Sequence, residues 1–249
     1  MTSPARRSME RKMAAKAGNG PRPGALPSPE NGPAASAYQL KLAALGNDLR
    51  QLSNTKSLER KIELKRTMIE TYRPWIEGAL SADRPAQDEI VGTMLVWAID
   101  IADWPLALDI ARHVLTYGLA LPDRFRRSPA ELIAEQVAEA GILADPTVSL
   151  TTLQQVEALT EAADMPDEIR AKVKKAIGLA FRAKADAFDP TAESGVAGGK
   201  AALIAAATSY LDRAVQLDDS CGVKVVIRQL AAEAKRLADD ADKNTEKTA

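Results

Sequence analysis

The sequence predicts an all-α protein. Apolar residues recur at intervals of three and four along most of the chain after residue 33, and no segment sustains the period-two alternation that a strand needs. Candidate helix starts are marked by proline followed by acids, a first-turn composition that suits the missing N–H of proline and the helix dipole. Of the 249 residues, 46% are hydrophobic and 27% charged, the balance of a packed, soluble, globular chain. Cys221 is the one cysteine and His113 the one histidine, which excludes intrachain disulfides, cysteine-based zinc sites and histidine-cluster metal sites. No uncharged apolar run approaches the roughly 20 residues of a membrane span. The basic N-terminus lacks the apolar stretch of a secretory signal. A cytosolic protein, neither secreted nor bound to a membrane, is expected.

Residues 1–33 read as a separate segment. They hold Arg6, Arg7, Arg11, Lys12, Lys16 and Arg22 against Glu10 and Glu30, a net +4, which leaves −5 for the rest of the chain. Six prolines and four glycines fall in the same stretch, and little after Met13 is apolar. Such a segment buries too little surface to offset the ordering entropy of about 1–2 kcal/mol per residue. A disordered basic arm is expected, with room for a transient helix over residues 4–17. Its composition suits nucleic acid, with a solubilising tail as the alternative.

Residues 34–80 follow as heptad helices. Tyr38, Leu42, Leu45, Leu49 and Leu52 repeat at spacings of four and three, and Leu58, Ile62, Ile69 and Tyr72 continue the stripe beyond Ser53-Asn54-Thr55, with Lys65 at one seam position. The narrow stripe marks Leu42, Leu45, Leu49, Leu52, Leu58, Ile62 and Ile69 as candidates for self-association, with an intrachain hairpin as the alternative. A short helix starts at Pro74-Trp75-Ile76 and ends near Leu80.

Residues 81–145 read as a helical hairpin domain. One helix starts with Pro85 and acids in its first turn and carries Ile90, Met94, Trp97 and Ile101. A second carries Trp104, Leu108, Ala111 and Leu115 and stops at Gly118. The layout is that of a tetratricopeptide-type αα-hairpin. Pro129, with Ser128 and Glu131 at capping-box spacing, opens another helix. Arg124, Arg126 and Arg127 precede it and could hold phosphate together with that helix start, or pair with neighbouring carboxylates. Residues 146–240 repeat the paired-helix pattern, with helices over 150–163, from Pro166-Asp167-Glu168 through Phe181, over 201–217 and over 223–238. Residues 241–249 form a frayed polar tail.

No phosphate-loop, nucleophile-elbow or paired-histidine zinc motif occurs. Asp100 and Asp103 share a helical face, with Asp88 and Glu89 one helix earlier. Acids so placed are far more often caps than ligands of the paired metals of a nuclease. The residues alone therefore give a helical protein with a basic arm, a stripe that suits either self-association or an intrachain hairpin, and no visible catalyst.

Several blocks nevertheless resemble the small terminase subunit of temperate, contractile-tailed phages. They are Met1–Ala5, Ala86-Gln87-Asp88 through Trp97, Ala107-Leu108, Ile110-Ala111-Arg112, Tyr117-Gly118-Leu119, Arg126-Arg127 and Pro129. Ala163–Glu168 with Arg170-Ala171-Lys172, and Gln216-Leu217-Asp218 with Gly222-Val223-Lys224, extend the likeness over nearly the whole chain. The resemblance implies a subunit that binds phage double-stranded DNA, recognises the packaging site, and directs cleavage and loading by the large ATPase/nuclease subunit. It also implies assembly as a ring or other oligomer in the host cytoplasm. On this reading no cofactor is needed and DNA contact falls to Arg6, Arg7, Arg11, Lys12 and Lys16, with Arg124, Arg126 and Arg127. Two alternatives stand: a metal-dependent endonuclease, which would need Mg2+, and a helical scaffold that binds only protein.

Overall fold

The computed structural model describes residues 4–17, 33–82, 85–189 and 199–246. Among them lie eleven α-helices and no strand. Two compact units divide the chain, Met1–Pro129 and Ala130–Ala249. The first contains α1 (Pro4–Ala17), α2 (Pro33–Asn54), α3 (Leu58–Ile69), α4 (Arg73–Leu80), α5 (Glu89–Asp100) and α6 (Trp104–Thr116). The second is built from α7 (Pro129–Ile142), α8 (Leu150–Thr160), α9 (Asp167–Asp186), α10 (Gly199–Leu217) and α11 (Lys224–Glu246).

In the first unit the aromatic residues, scarce at 4% of the chain, gather where the packing needs bulk. Trp75 of α4 is fully buried and its indole N–H donates to Asp88 Oδ2 at 2.7 Å. The other Asp88 oxygen caps α5, accepting from the amides of Ile90 (2.8 Å) and Val91 (3.2 Å). Tyr38 of α2 stacks on Trp75 at 5.9 Å between centroids, and its hydroxyl accepts from the Glu89 amide. Burial pushes the Asp88 carboxyl above the ordinary range against the pull of these donors, and it pushes Tyr38 up to about 12. Tyr72 donates to Asp48 of α2 at 2.6 Å and meets Trp97 edge-on. One carboxylate thus joins α4 to α5, and two tyrosines fasten α2 across both.

The start of α5 differs from expectation: Pro85 precedes it and Asp88 is the cap, because the acid side chain satisfies two free amides that proline at the first position would leave open. The α5–α6 hairpin forms as predicted, turning through Ala102 at φ 58° with Asp103 capping α6. Gly118, at φ 61°, follows the end of α6. Tetratricopeptide-like stacking of such hairpins is not established by this arrangement.

The heptad stripe is largely the unit's own core. Leu45, Leu52 and Ile69 are buried within the chain, Leu42, Leu49 and Ile62 are half-buried, and Leu58 is 72% exposed. Lys65 occupies its seam position because Asp100 of α5 meets it there. The expected floppy arm differs most. Residues 4–17 form a helix seated on α4, and the proline- and glycine-rich residues 18–32 lie outside the described ones.

In the second unit α9 and α10 run antiparallel along a seam of small residues. Ala207 and Ala214 of α10 are buried, and a Cβ on Gly178 would stand 2.7 Å from Leu211 and 3.2 Å from the Ala207 carbonyl oxygen. Glu157 of α8 joins this pair, accepting from Lys174 of α9 at 2.6 Å and from the Tyr210 hydroxyl of α10 at 3.1 Å. Lys172 ties α9 to Glu135 and Glu139 of α7. Leu230 of α11 is buried in the α10 side of the core, and Lys200 pairs with Glu233.

Three stability measurements check these assignments. Asp88→Ala removes a cap and strands the Trp75 N–H, and is expected to cost about 2–4 kcal/mol in urea unfolding. Gly178→Leu should cost roughly 1–3 kcal/mol by overpacking the α9–α10 seam. Gly46→Ala, in open space within α2, should instead gain about 0.5–1 kcal/mol.

Candidate nucleic-acid interface

Charge is divided between the two units. Met1–Pro129 holds 19 Lys and Arg against 14 Asp and Glu, whereas Ala130–Ala249 holds 14 against 20. The basic excess of the first unit is concentrated on α1. Arg6, Arg7, Arg11 and Lys12 are all exposed on this helix, and Lys16 belongs to its last turn. Its acid, Glu10, is turned to the body, where it meets Arg6 and Lys41 of α2, both at 3.4 Å. Lys41 also donates to the Thr71 carbonyl at 2.8 Å and lies over the Tyr72 ring. The outward surface of α1 is therefore cationic, and its position is set from the body side.

Sequence reasoning missed what seats the helix. Ala14 of α1 packs on Gly78 of α4, and Arg11 Nη1 meets Glu77 Oε2 at 3.3 Å. The available signal was a glycine in the middle of an eight-residue helix, a place where glycine weakens the helix unless a neighbour needs the room.

The three loop arginines have different roles. Arg124 pairs with Glu89 Oε1 at 2.8 Å, reaches Thr93 Oγ1 and lies over the Phe125 ring, so it fastens the loop to α5. Pro122 packs against Gly92, where a Cβ would meet its Cδ at 2.8 Å, and the Phe125 amide donates to the Pro122 carbonyl. Arg126 and Arg127 are exposed on this anchored loop. The helix α7, expected to complete a phosphate site with them, belongs from Ala130 onward to the second unit.

The carboxylates considered for metal chemistry are engaged elsewhere. Asp88 is buried as a cap, Glu89 holds Arg124, Asp100 holds Lys65, and Asp103 caps α6 and accepts from Arg73 at 2.7 Å. Among the described residues, no group of three or more His, Cys, Asp or Glu side chains is placed to hold a metal ion. His113 is buried against Tyr117, and burial lowers its pKa, which keeps it neutral near pH 7. No described helix is long and apolar enough to cross a membrane.

The fold and its charge define an all-helical protein with a basic first unit and an acidic second one. Residues 42–168 match the phage small terminase subunit family, and the chain belongs to that family. It is 37% identical over 238 residues to the terminase endonuclease subunit of Escherichia phage P2, covering 94% of this chain and 87% of that protein. No solved structure matches it. The chain accordingly has a role in phage DNA packaging.

If Arg124 fastens the loop as described, Arg124→Ala should raise hydrogen exchange over residues 121–128 and lower unfolding stability by about 1 kcal/mol, the usual scale of a partly exposed charged hydrogen-bond set.

Proposed function

We propose that this chain is the DNA-handling subunit of its terminase. The first unit holds phage double-stranded DNA through the cations of α1, aided by Arg126 and Arg127 on the anchored loop, and recognises the packaging site. The chain then directs cleavage and loading by a large subunit that supplies the ATPase and the nuclease. The observation that carries this reading is the outward cationic surface of α1 on a unit whose basic excess is opposed by an acidic second unit. Polyanion capture needs such a display, and phosphate contacts fix register before any base is read. The pairing of Asp100 and Asp103 with Lys65 and Arg73 supports a catalytic centre on the partner.

Self-association through the α2–α3 stripe belongs to the same proposal, narrowed to its partly exposed members Leu42, Leu49, Leu58 and Ile62. Leu45, Leu52 and Ile69 serve the core of each copy, so their substitution tests folding and not assembly.

A second reading is favoured by the name of the phage P2 relative, an endonuclease subunit. On it, this chain would cut DNA itself with Mg2+ or Mn2+. The full chain incubated with either ion and cognate DNA, without the large subunit, is expected to leave the DNA intact; nicking by the purified chain would establish this reading over ours.

The principal reading is tested by neutralising Arg6, Arg7 and Lys12 to Gln together. The slope of log K against log salt should fall in magnitude by about 2–3, at roughly 0.9 for each lost phosphate contact. An unchanged slope would remove α1 from DNA binding. Leu58→Asp with Ile62→Asp should reduce the mass measured by light scattering to that of a monomer.

A further inference from the structure

The seat of α1 has a consequence for binding, and this inference rests on the reading of α1 as the DNA-holding helix. Little apolar surface holds the helix in place: Ala14 is buried, Met13 is half-buried, and Met9 is 59% exposed. An isolated helix of 14 residues is marginal in water. The body supplies what the sequence of α1 lacks.

Gly78 makes that possible. It lies within α4, and a Cβ there would stand 2.2 Å from the Arg11 carbonyl oxygen and 2.7 Å from the Ala14 Cβ. The backbone at Gly78 is helical with ordinary negative φ, so α4 itself has no need of glycine, and alanine is the better helix former there. The missing side chain serves the approach of α1. Two ion pairs flank the contact, Arg11 with Glu77 and Glu10 with Lys41. Helix–helix approach at a glycine lets two backbones come closer than any pair of larger residues would.

We propose that Gly78 is a positioning residue for DNA binding. By seating α1 it presents Arg6, Arg7 and Lys12 on a helix that is already formed, so DNA meets an ordered array of cations. With the seat filled, α1 would have to fold at each encounter and lose affinity to that ordering, while the cations that reach phosphate would stay the same in number. The signature is a weaker Kd with an unchanged salt slope, the opposite of what charge removal gives.

The test uses the full chain and a labelled linear duplex DNA, titrated by anisotropy over a series of salt concentrations. Gly78→Ala is expected to raise Kd about tenfold or more, leave the salt slope unchanged, and abolish slowed amide exchange in α1. Ala14→Leu, which fills the same contact from the other side and leaves α4 intact, should do likewise. In the Arg6/Arg7/Lys12→Gln background, Gly78→Ala should change Kd by much less than in the parent, since only Arg11 and Lys16 are left on α1 to position. A general defect of the unit would weaken binding equally in both backgrounds and would overturn the proposal. A Gly78→Ala protein with Kd within twofold of the parent, or with α1 still protected, would overturn it as well. If instead the triple Gln variant keeps the parental slope, the DNA-holding role of α1 fails first, so the silent variant identifies which statement is wrong.

Discussion

The first unit depends on one buried carboxylate. Helix α4 has only eight residues, too few to persist by its own hydrogen bonds. It is held because Trp75 is fully buried and donates to Asp88, which at the same time caps α5. A charge-capable group removed from water is costly unless its oxygens are satisfied, and here three N–H donors converge on them. The arrangement fixes the angle between α4 and α5, and with it the platform on which α1 lies. The basic display on the surface is thus set by a polar contact inside the core.

The division of charge gives the two units opposite signs. A basic unit and an acidic one on the same chain leave a net charge of only −1, yet each unit has a field of its own sign. At physiological ionic strength such fields reach about 8 Å. The second unit carries the acidic excess, 20 Asp and Glu against 14 Lys and Arg. Its polar contacts, such as Glu157 with Lys174 and Tyr210, fasten three helices together.

Much of the fold could be read from residue order because helix signals are local. The α4 span, the α5–α6 hairpin, the stop at Gly118, and the starts of α7, α8 and α9 all follow from spacing, proline and capping chemistry. Boundaries shifted where a side chain competed with that chemistry, as at Asp88, or where a helix ran on past its apolar stripe, as in α11. What residue order could not show was tertiary. Residues 4–17 have the composition of a free arm, and nothing within them reveals that a glycine more than sixty positions away offers a seat. The heptad stripe posed the converse problem: the same spacing describes a seam between subunits and a seam within one chain, and Leu45, Leu52 and Ile69 turned out to face their own core. The candidate cations were legible as residues, but the pinning role of Arg124 came only from its neighbours Glu89 and Thr93.

The seam of alanine and glycine between α9 and α10 sets how the second unit comes apart. Backbones brought that close leave no room for water to enter between them, whereas α11 rests on this core through Leu230, with Val226, Ile227 and Leu237 only partly buried beside it. Opening of this unit is therefore expected to start at the C-terminal helix and to reach the small-residue seam last.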